Sequence, residues 1–418
     1  MEHMEPVAIS RKEEGRSFIA EDAAPLRIVP ATRPGVARYP DAFVGRIAVG
    51  TVHDGAYIPP RFLQRADPDV VQDTYVRERD WGAALVADAL CAGLGIQSYS
   101  HIDIARALMD FGRFPGSTPE NADHYNRFAI NHPFSVYLSF EEKKAVLEEY
   151  YDPISHALDA RIRGHLISIS VHTYDTRNRS GSVRPQVSLV SRAIGSQGGA
   201  EIPVGVFDPL YPEVLGEFTC DRILRDRISL DLEKDGIPVA HNYPYLLPEG
   251  SVEVRSQVWF FFAFLKAQFE QQNPGTVDDP TFAAVWEMLL DTNLRSTKSD
   301  ELRSYLHMYR KAPDDEREFF RDARRAYEAV HAFLHRDHDR IIDQYRFSPE
   351  RPSSLGIEIR KDLIWAFDRN DQPERPRPEQ AWQLGQCLAR AITQYLAEDR
   401  PQAPKDLLIH PTTGGTES

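Results

Sequence analysis

The chain has 418 residues, 42% hydrophobic and 27% charged, the balance of a globular protein with length for one large α/β domain or two ordinary ones. A formal net charge of −14 argues against a general nucleic-acid binder, which needs a basic face, so an anionic ligand must be met by local arginines. The longest apolar run, Val258 to Leu265, is too short to span a bilayer, Met1 to Gly15 hold no apolar signal region, and Cys91, Cys220 and Cys387 show no Cys-x-x-Cys spacing. The expectation is a cytoplasmic protein with no membrane segment and no disulfide framework.

In chain order, residues 1–40 are rich in charge and proline and are expected to be mobile, like the tail 401–418. Arg46-Ile-Ala-Val-Gly-Thr-Val52 predicts a buried strand that stops at His53-Asp-Gly. Trp81 to Leu90 carries apolar residues at helical spacing and ends near Gly93 and Gly95. A helix from Asp152-Pro153 toward Arg163 leads into a second buried strand, His165 to Val171, which ends at His172. Residues 251–347 differ, with helical patterns over Trp259–Phe269, Phe282–Leu290 and Glu316–Tyr345. A third strand, Leu355 to Arg360, and an amphipathic helix, Pro378 to Leu396, follow. Together these predict an α/β sheet covered by helices, built from residues 41–250 and 348–400 and interrupted by a helical insertion at 251–347.

Two histidines at the C-terminal ends of two buried strands are the most informative pattern. His53 lies in Val52-His-Asp-Gly-Ala-Tyr-Ile-Pro-Pro60, where glycine and proline set a tight turn, and His172 lies in Ser168-Ile-Ser-Val-His-Thr173. Ligands of open α/β sheets sit beyond those strand ends. Neutral imidazole is the commonest zinc ligand, and a catalytic zinc takes three protein ligands with one position open. Spacing alone leaves the commoner alternative standing, that each histidine is a hydrogen-bonded loop or core residue. His331, His335 and His338 share one helical face, yet no glutamate follows the first as a zinc-protease motif requires, so they read as a solvated face. Gly195-Ser-Gln-Gly-Gly199 lacks the lysine ending of a phosphate loop, and no Gly-x-Ser-x-Gly elbow appears.

Six motifs, in order, resemble the N-formylglutamate amidohydrolase family. They are the histidine-glycine-proline turn at His53, Arg79-Asp-Trp-Gly-Ala83, Ile104-Ala-Arg-Ala-Leu-Met-Asp-Phe-Gly-Arg-Phe-Pro115, the Ser168–Thr173 strand end, Asn242-Tyr-Pro-Tyr245, and Glu358-Ile-Arg-Lys-Asp-Leu-Ile364. The resemblance implies a fold like that of zinc carboxypeptidases and aspartoacylase (phosphorylase/hydrolase-like), hence a mixed central sheet flanked by helices. It implies one Zn2+ per chain on His53 and His172, with Asp80 as third ligand and Glu78 its competitor. Glu358 would be the general base, on a strand where Ile357 and Ile359 face the other way. Arg106 and Arg113 would hold a substrate carboxylate or polarise the scissile carbonyl, and Asn242 would hydrogen-bond substrate.

The implied function is cleavage of the amide of a small N-acyl amino acid by metal-activated water. A peptide or cell-wall amide hydrolase on the same fold, and a non-catalytic binding member of the family, are the alternatives. The chain departs from the family pattern at Gly112, where an asparagine is expected, and at Phe114, which displaces a proline. It also departs in the roughly hundred-residue helical interval before Glu358. That insertion is expected to cap or reshape the pocket, or to form a homo-oligomer contact.

Overall fold

A computed structural model of the protein describes residues 25–113, 129–178, 180–193, 208–216, 218–248, 250–292, 297–307 and 311–400. The 401–418 tail and the Gly195–Gly199 loop lie outside the described residues. Seven strands form one sheet in the order β1-β3-β2-β4-β7-β5-β6: β1 Leu26–Pro30, β2 Ile47–Thr51, β3 Ser98–Ile102, β4 Ile167–Tyr174, β5 Val187–Val190, β6 Val239–His241 and β7 Ser353–Arg360. β3, β2, β4 and β7 run parallel, while β1 on β3 and β5 on β7 run antiparallel. The sheet is therefore mixed, as expected. From β2 the chain goes to β3 on one side and to β4 on the other, so the order reverses between β2 and β4. The crevice outside the carboxyl ends of strands at such a reversal is where open α/β sheets place ligands.

Helices Ala83–Leu94, Arg222–Lys234 and Pro378–Gln394 contribute to one apolar core with β2, β4, β5 and β7. The first and last approach closely because Gly385 faces Ala89. A Cβ at Gly385 would sit 2.5 Å from the Ala89 Cβ and 2.8 Å from the Leu90 backbone nitrogen. A second core gathers Tyr75, Trp81, Ile102, Phe134 and Ile154. Helices Val252–Gln272, Pro280–Leu290, Thr297–His307, Arg317–Arg336 and His338–Arg346 enclose a third, aromatic core with Phe261, Phe262, Phe269, Trp286 and Phe333. Helix Val252–Gln272 joins that layer to the rest by packing on β7 and on helix Asp152–Arg163. There the fully buried Arg255 meets Ser155 at 2.7 Å and Asp159 at 3.3 Å.

Several elements differ from the sequence expectation for local reasons. The segment 1–40, expected to be mobile, supplies the edge strand β1. Arg27 reaches across to form a two-pronged ion pair with Asp103, whose other neighbour is His101 at 3.2 Å, itself 2.8 Å from the Thr51 hydroxyl. This chain of polar groups ties β1, β3 and β2 together. Trp81 precedes its helix, because Gly82 at φ 86° takes a left-handed turn before Ala83. The helix expected over Glu316–Tyr345 breaks at Asp337. β4 runs on through His172 to Tyr174 instead of stopping before it. Among the described residues no helix is long and apolar enough to cross a membrane.

Candidate active site

β2 delivers His53 two residues past its end, and the turn that follows is fixed by close backbone approach. A Cβ at Gly55 would lie 2.3 Å from the Asp103 carbonyl oxygen, so the chain passes there only as glycine. The Asp80 backbone N–H donates to the His53 carbonyl at 3.0 Å. The buried Asp54 carboxylate accepts from the Ala84 N–H and from Arg79 Nε, both at 2.9 Å, while the Arg79 guanidinium lies 4.3 Å from the Trp81 ring centre. These contacts clamp the His53 turn onto the segment carrying Asp80.

His53, Asp80 and His172 converge, with one ligand atom from each within 4.8 Å of the others, and they form the one such metal-ligating group found among the described residues. Asp80 Oδ2 is 3.1 Å from His172 Nδ1 and 3.5 Å from His53 Nδ1, and the two rings are 5.1 Å apart. Tetrahedral zinc bonds of 2.0–2.1 Å set neighbouring ligand atoms about 3.4 Å apart, so these spacings fit such an ion. His53 Nε2 is 2.8 Å from Asp110 Oδ1, whereas its Nδ1 is buried without any hydrogen-bond partner. A buried imidazole with one nitrogen on a carboxylate and the other left open toward two further ligand atoms is the arrangement of a metal-binding histidine. Glu78 lies at the cavity wall and pairs with Arg77 at 3.2 Å, outside this group.

Electrostatics follow from the packing. Burial opposes ionisation of Asp80, yet the hydrogen bond to His172 and the nearby His53 and Arg106 hold its carboxyl well below the usual range. Burial likewise opposes a charged His172, but the Asp80 hydrogen bond and the Glu358 charge raise it to about 9. Glu358 stands directly beside His172, because β4 and β7 pair in parallel with these two residues in register. Its pKa is raised by burial, with His172 pulling the other way. These side chains open into a cavity of about 990 Å³.

Arg106 and Arg113 line the same cavity, but both reach the buried Asp110, at 3.0 Å and 3.1 Å. Arg106 also stands 3.6 Å from Asp80, and Arg113 donates to Asn131 at 2.7 Å. Asp110 is thereby held ionised against burial by Arg106, Arg113 and His53. Asn242 is placed elsewhere. At φ 53° it turns the chain after β6, its amide oxygen accepts from the Ser191 N–H at 2.8 Å, and it does not line the cavity. The Asn-Tyr-Pro-Tyr stretch reaches the cavity through Pro244 and Tyr245. His331 and His335 are exposed on helix Arg317–Arg336, and His338, expected on the same face, is exposed at the start of the next helix beyond the break at Asp337.

Three residues at the site went unassigned from sequence. Asp110 had a signal, four residues after Arg106 in the same motif. Glu253, 3% exposed with Oε1 unpartnered, enters the cavity from the first turn of helix Val252–Gln272. Arg184 follows a polar loop with no pattern to mark it. No residue of the helical layer after Glu253 and before β7 lines the cavity among those described.

A family model for N-formylglutamate amidohydrolase matches residues 47–259, half of the chain. The chain belongs to the N-formylglutamate amidohydrolase family. Membership makes it a hydrolase acting on an amide in a small molecule. The match contains His53, Asp80, Asp110 and His172 but stops short of Glu358, whose place rests on the β4–β7 register. No curated protein matches the chain significantly. Solved structures similar to it include the following two. One is a gene product of Agrobacterium tumefaciens, at 14% identity and TM-score 0.44, covering 91% of this chain and 98% of that one. The other is an N-formylglutamate amidohydrolase from Ralstonia eutropha, at 13% identity and TM-score 0.44, covering 90% and 97%.

The Asp110 carboxylate orients the His53 ring through their 2.8 Å contact. If His53, Asp80 and His172 hold zinc, as proposed below, Asp110→Asn is expected to weaken its binding roughly 10- to 100-fold, since outer carboxylates fix ring orientation and ligand basicity. Competition against a chelator of known affinity checks it; unchanged affinity would assign Asp110 to arginine packing alone.

Proposed function

We propose that the chain is a zinc-dependent amidohydrolase that cleaves a small N-acyl amino acid, with N-formylglutamate the first candidate substrate. The proposed fold class is that of zinc carboxypeptidases and aspartoacylase, with residues 41–250 and 348–400 as the catalytic domain, 251–347 as a helical insertion, and a cytoplasmic location. The convergence of His53, Asp80 and His172, with His53 Nδ1 buried and unpartnered, is the observation that carries this reading.

His53, Asp80 and His172 would hold the ion, Asp80 being preferred to Glu78 by its place between the two rings. When bound, zinc supplies Lewis acidity at the scissile carbonyl and makes water easier to deprotonate near neutral pH. Glu358 takes a proton from the attacking water and passes it to the departing nitrogen as the carbon–nitrogen bond breaks. Its burial-raised pKa suits a group that must both accept and release a proton. Arg106, with Asp110 sharing its charge, stabilises negative charge developing on the carbonyl oxygen, and Arg113 fixes Asp110 in place. Asn242 acts through the turn that presents Tyr245.

The test is turnover of N-formyl and N-acetyl amino acids beside short peptides, before and after chelation. N-formyl amino acid hydrolysis that is lost on chelation and restored by one equivalent of zinc is the expected result. Hydrolysis indifferent to chelation would overturn zinc dependence, and zinc binding without turnover of any amide would favour a binding role. One observation keeps a second reading in play: 990 Å³ is at the upper end of small-molecule sites, roughly 300–1,000 Å³, so a longer peptide or cell-wall amide also fits. Preference for the peptides in the same panel would select it.

A further inference from the structure

The cavity is rich in carboxylates, with Glu78, Asp80, Asp110, Asp175, Glu253 and Glu358 all in its walls. A substrate carboxylate entering it needs a cation that is not already neutralised. Arg106 and Arg113 share Asp110, Arg77 pairs with Glu78, and Lys361 pairs with Asp175 at 2.9 Å. Arg184 differs. It is half-buried in the cavity wall, no carboxylate lies within ion-pairing distance among the described residues, and its Nε is buried without a hydrogen-bond partner. Arg177, which also lines the cavity, is exposed and donates to the Gly181 carbonyl at 2.8 Å.

What holds Arg184 is aromatic. Its guanidinium carbon lies 5.2 Å from the Tyr174 ring centre and 5.1 Å from that of Tyr245. The buried Tyr174 is itself fixed by donating its hydroxyl to the Pro185 carbonyl at 2.7 Å. Two ring faces orient the planar cation without cancelling its charge or occupying its N–H donors, so little side-chain freedom remains to be lost when an anion binds. Tyr174 is two residues beyond His172 on β4, so the guanidinium stands at the strand end that carries the candidate metal ligands.

We propose that Arg184 is the anchor for a carboxylate on the amino-acid half of the substrate, the role that Arg106 and Arg113 were expected to fill. This rests on the amidohydrolase reading above. The guanidinium fork would donate two parallel hydrogen bonds to the carboxylate and thereby set which acyl amino acids are accepted.

The experiment compares wild type, Arg184→Gln and Arg184→Lys on N-formyl-L-glutamate and on the two analogues in which one or the other carboxylate is a carboxamide. In parallel, calorimetric titration with L-glutamate reads binding without turnover. Wild type is expected to prefer the dicarboxylate over one of the amides by roughly 10- to 100-fold, chiefly in KM, as for charge-assisted hydrogen bonds. Arg184→Gln should erase that preference and the glutamate binding, with Arg184→Lys in between and zinc content and melting temperature reporting that each variant is folded. If Arg184→Gln does not fold, the Lys variant and the wild-type discrimination carry the test. An unaltered preference or equal glutamate binding in the variants overturns the anchor, as does a wild type that binds no carboxylate. Carboxylate binding that depends on Arg184 in a protein without amidase activity overturns the catalytic reading and leaves the anchor standing.

Discussion

Glu358→Gln is expected to keep the zinc content of the wild type and to lower kcat by about 10²- to 10⁴-fold, the usual contribution of a positioned acid–base group. The substitution preserves shape and hydrogen-bonding capacity at a half-buried strand position, so the β4–β7 pairing with His172 should persist. In the proposed mechanism, what disappears is the oxygen that accepts the proton of the attacking water and returns it to the leaving nitrogen. Single-turnover and steady-state rates, measured beside metal content, separate this from damage to the metal centre. A glutamine variant with near wild-type kcat would move the base elsewhere, and Glu253, buried in the same cavity with an unpartnered oxygen, would be the next to test.

His172→Ala should have an even larger effect, because it removes a proposed metal ligand instead of the proposed proton carrier. Bound zinc is expected to fall from about one per chain toward none in dilute chelator, and activity to fall with it to background. The reason is geometric: with His172 gone, Asp80 Oδ2 loses its 3.1 Å neighbour and only His53 and Asp80 remain to share the ion. His53→Ala should behave alike. His331→Ala, on an exposed helical face, should leave both zinc and activity unchanged and serves as the control for histidine removal as such. Metal analysis after gel filtration, with circular dichroism to confirm folding, reads the result.

The strands that carry the site were legible because β2, β4 and β7 each set isoleucine, valine or leucine at alternate positions and hold or lead into a histidine or a glutamate. β2, β4 and β7 were therefore placed within a few residues. β3 and β5 were not, since Ser98-Tyr-Ser-His-Ile102 holds a single aliphatic residue and Val187-Ser-Leu-Val190 is only four residues long. Their polar atoms are satisfied across the sheet, as with Thr51 and His101, and sequence spacing holds no record of such partners. β1 was hidden for a related reason, its Arg27 being useful only opposite Asp103. At the site, family motifs pointed to His53, Asp80, His172, Glu358, Arg106 and Arg113, all of which line the cavity. Asn242 could not be separated from a turn residue by sequence, because the φ of 53° that occupies it is a property of the backbone. Arg184 was invisible for the converse reason: its two aromatic partners, Tyr174 across the preceding loop and Tyr245 from a distant segment, meet only in the fold.

X-ray absorption at the zinc edge of the purified wild type tests the centre most directly. An inner shell of two imidazole nitrogens and a carboxylate oxygen, degraded in both His53→Ala and His172→Ala, is the predicted result. Sulfur ligation, or a shell identical in wild type and His172→Ala, would contradict it.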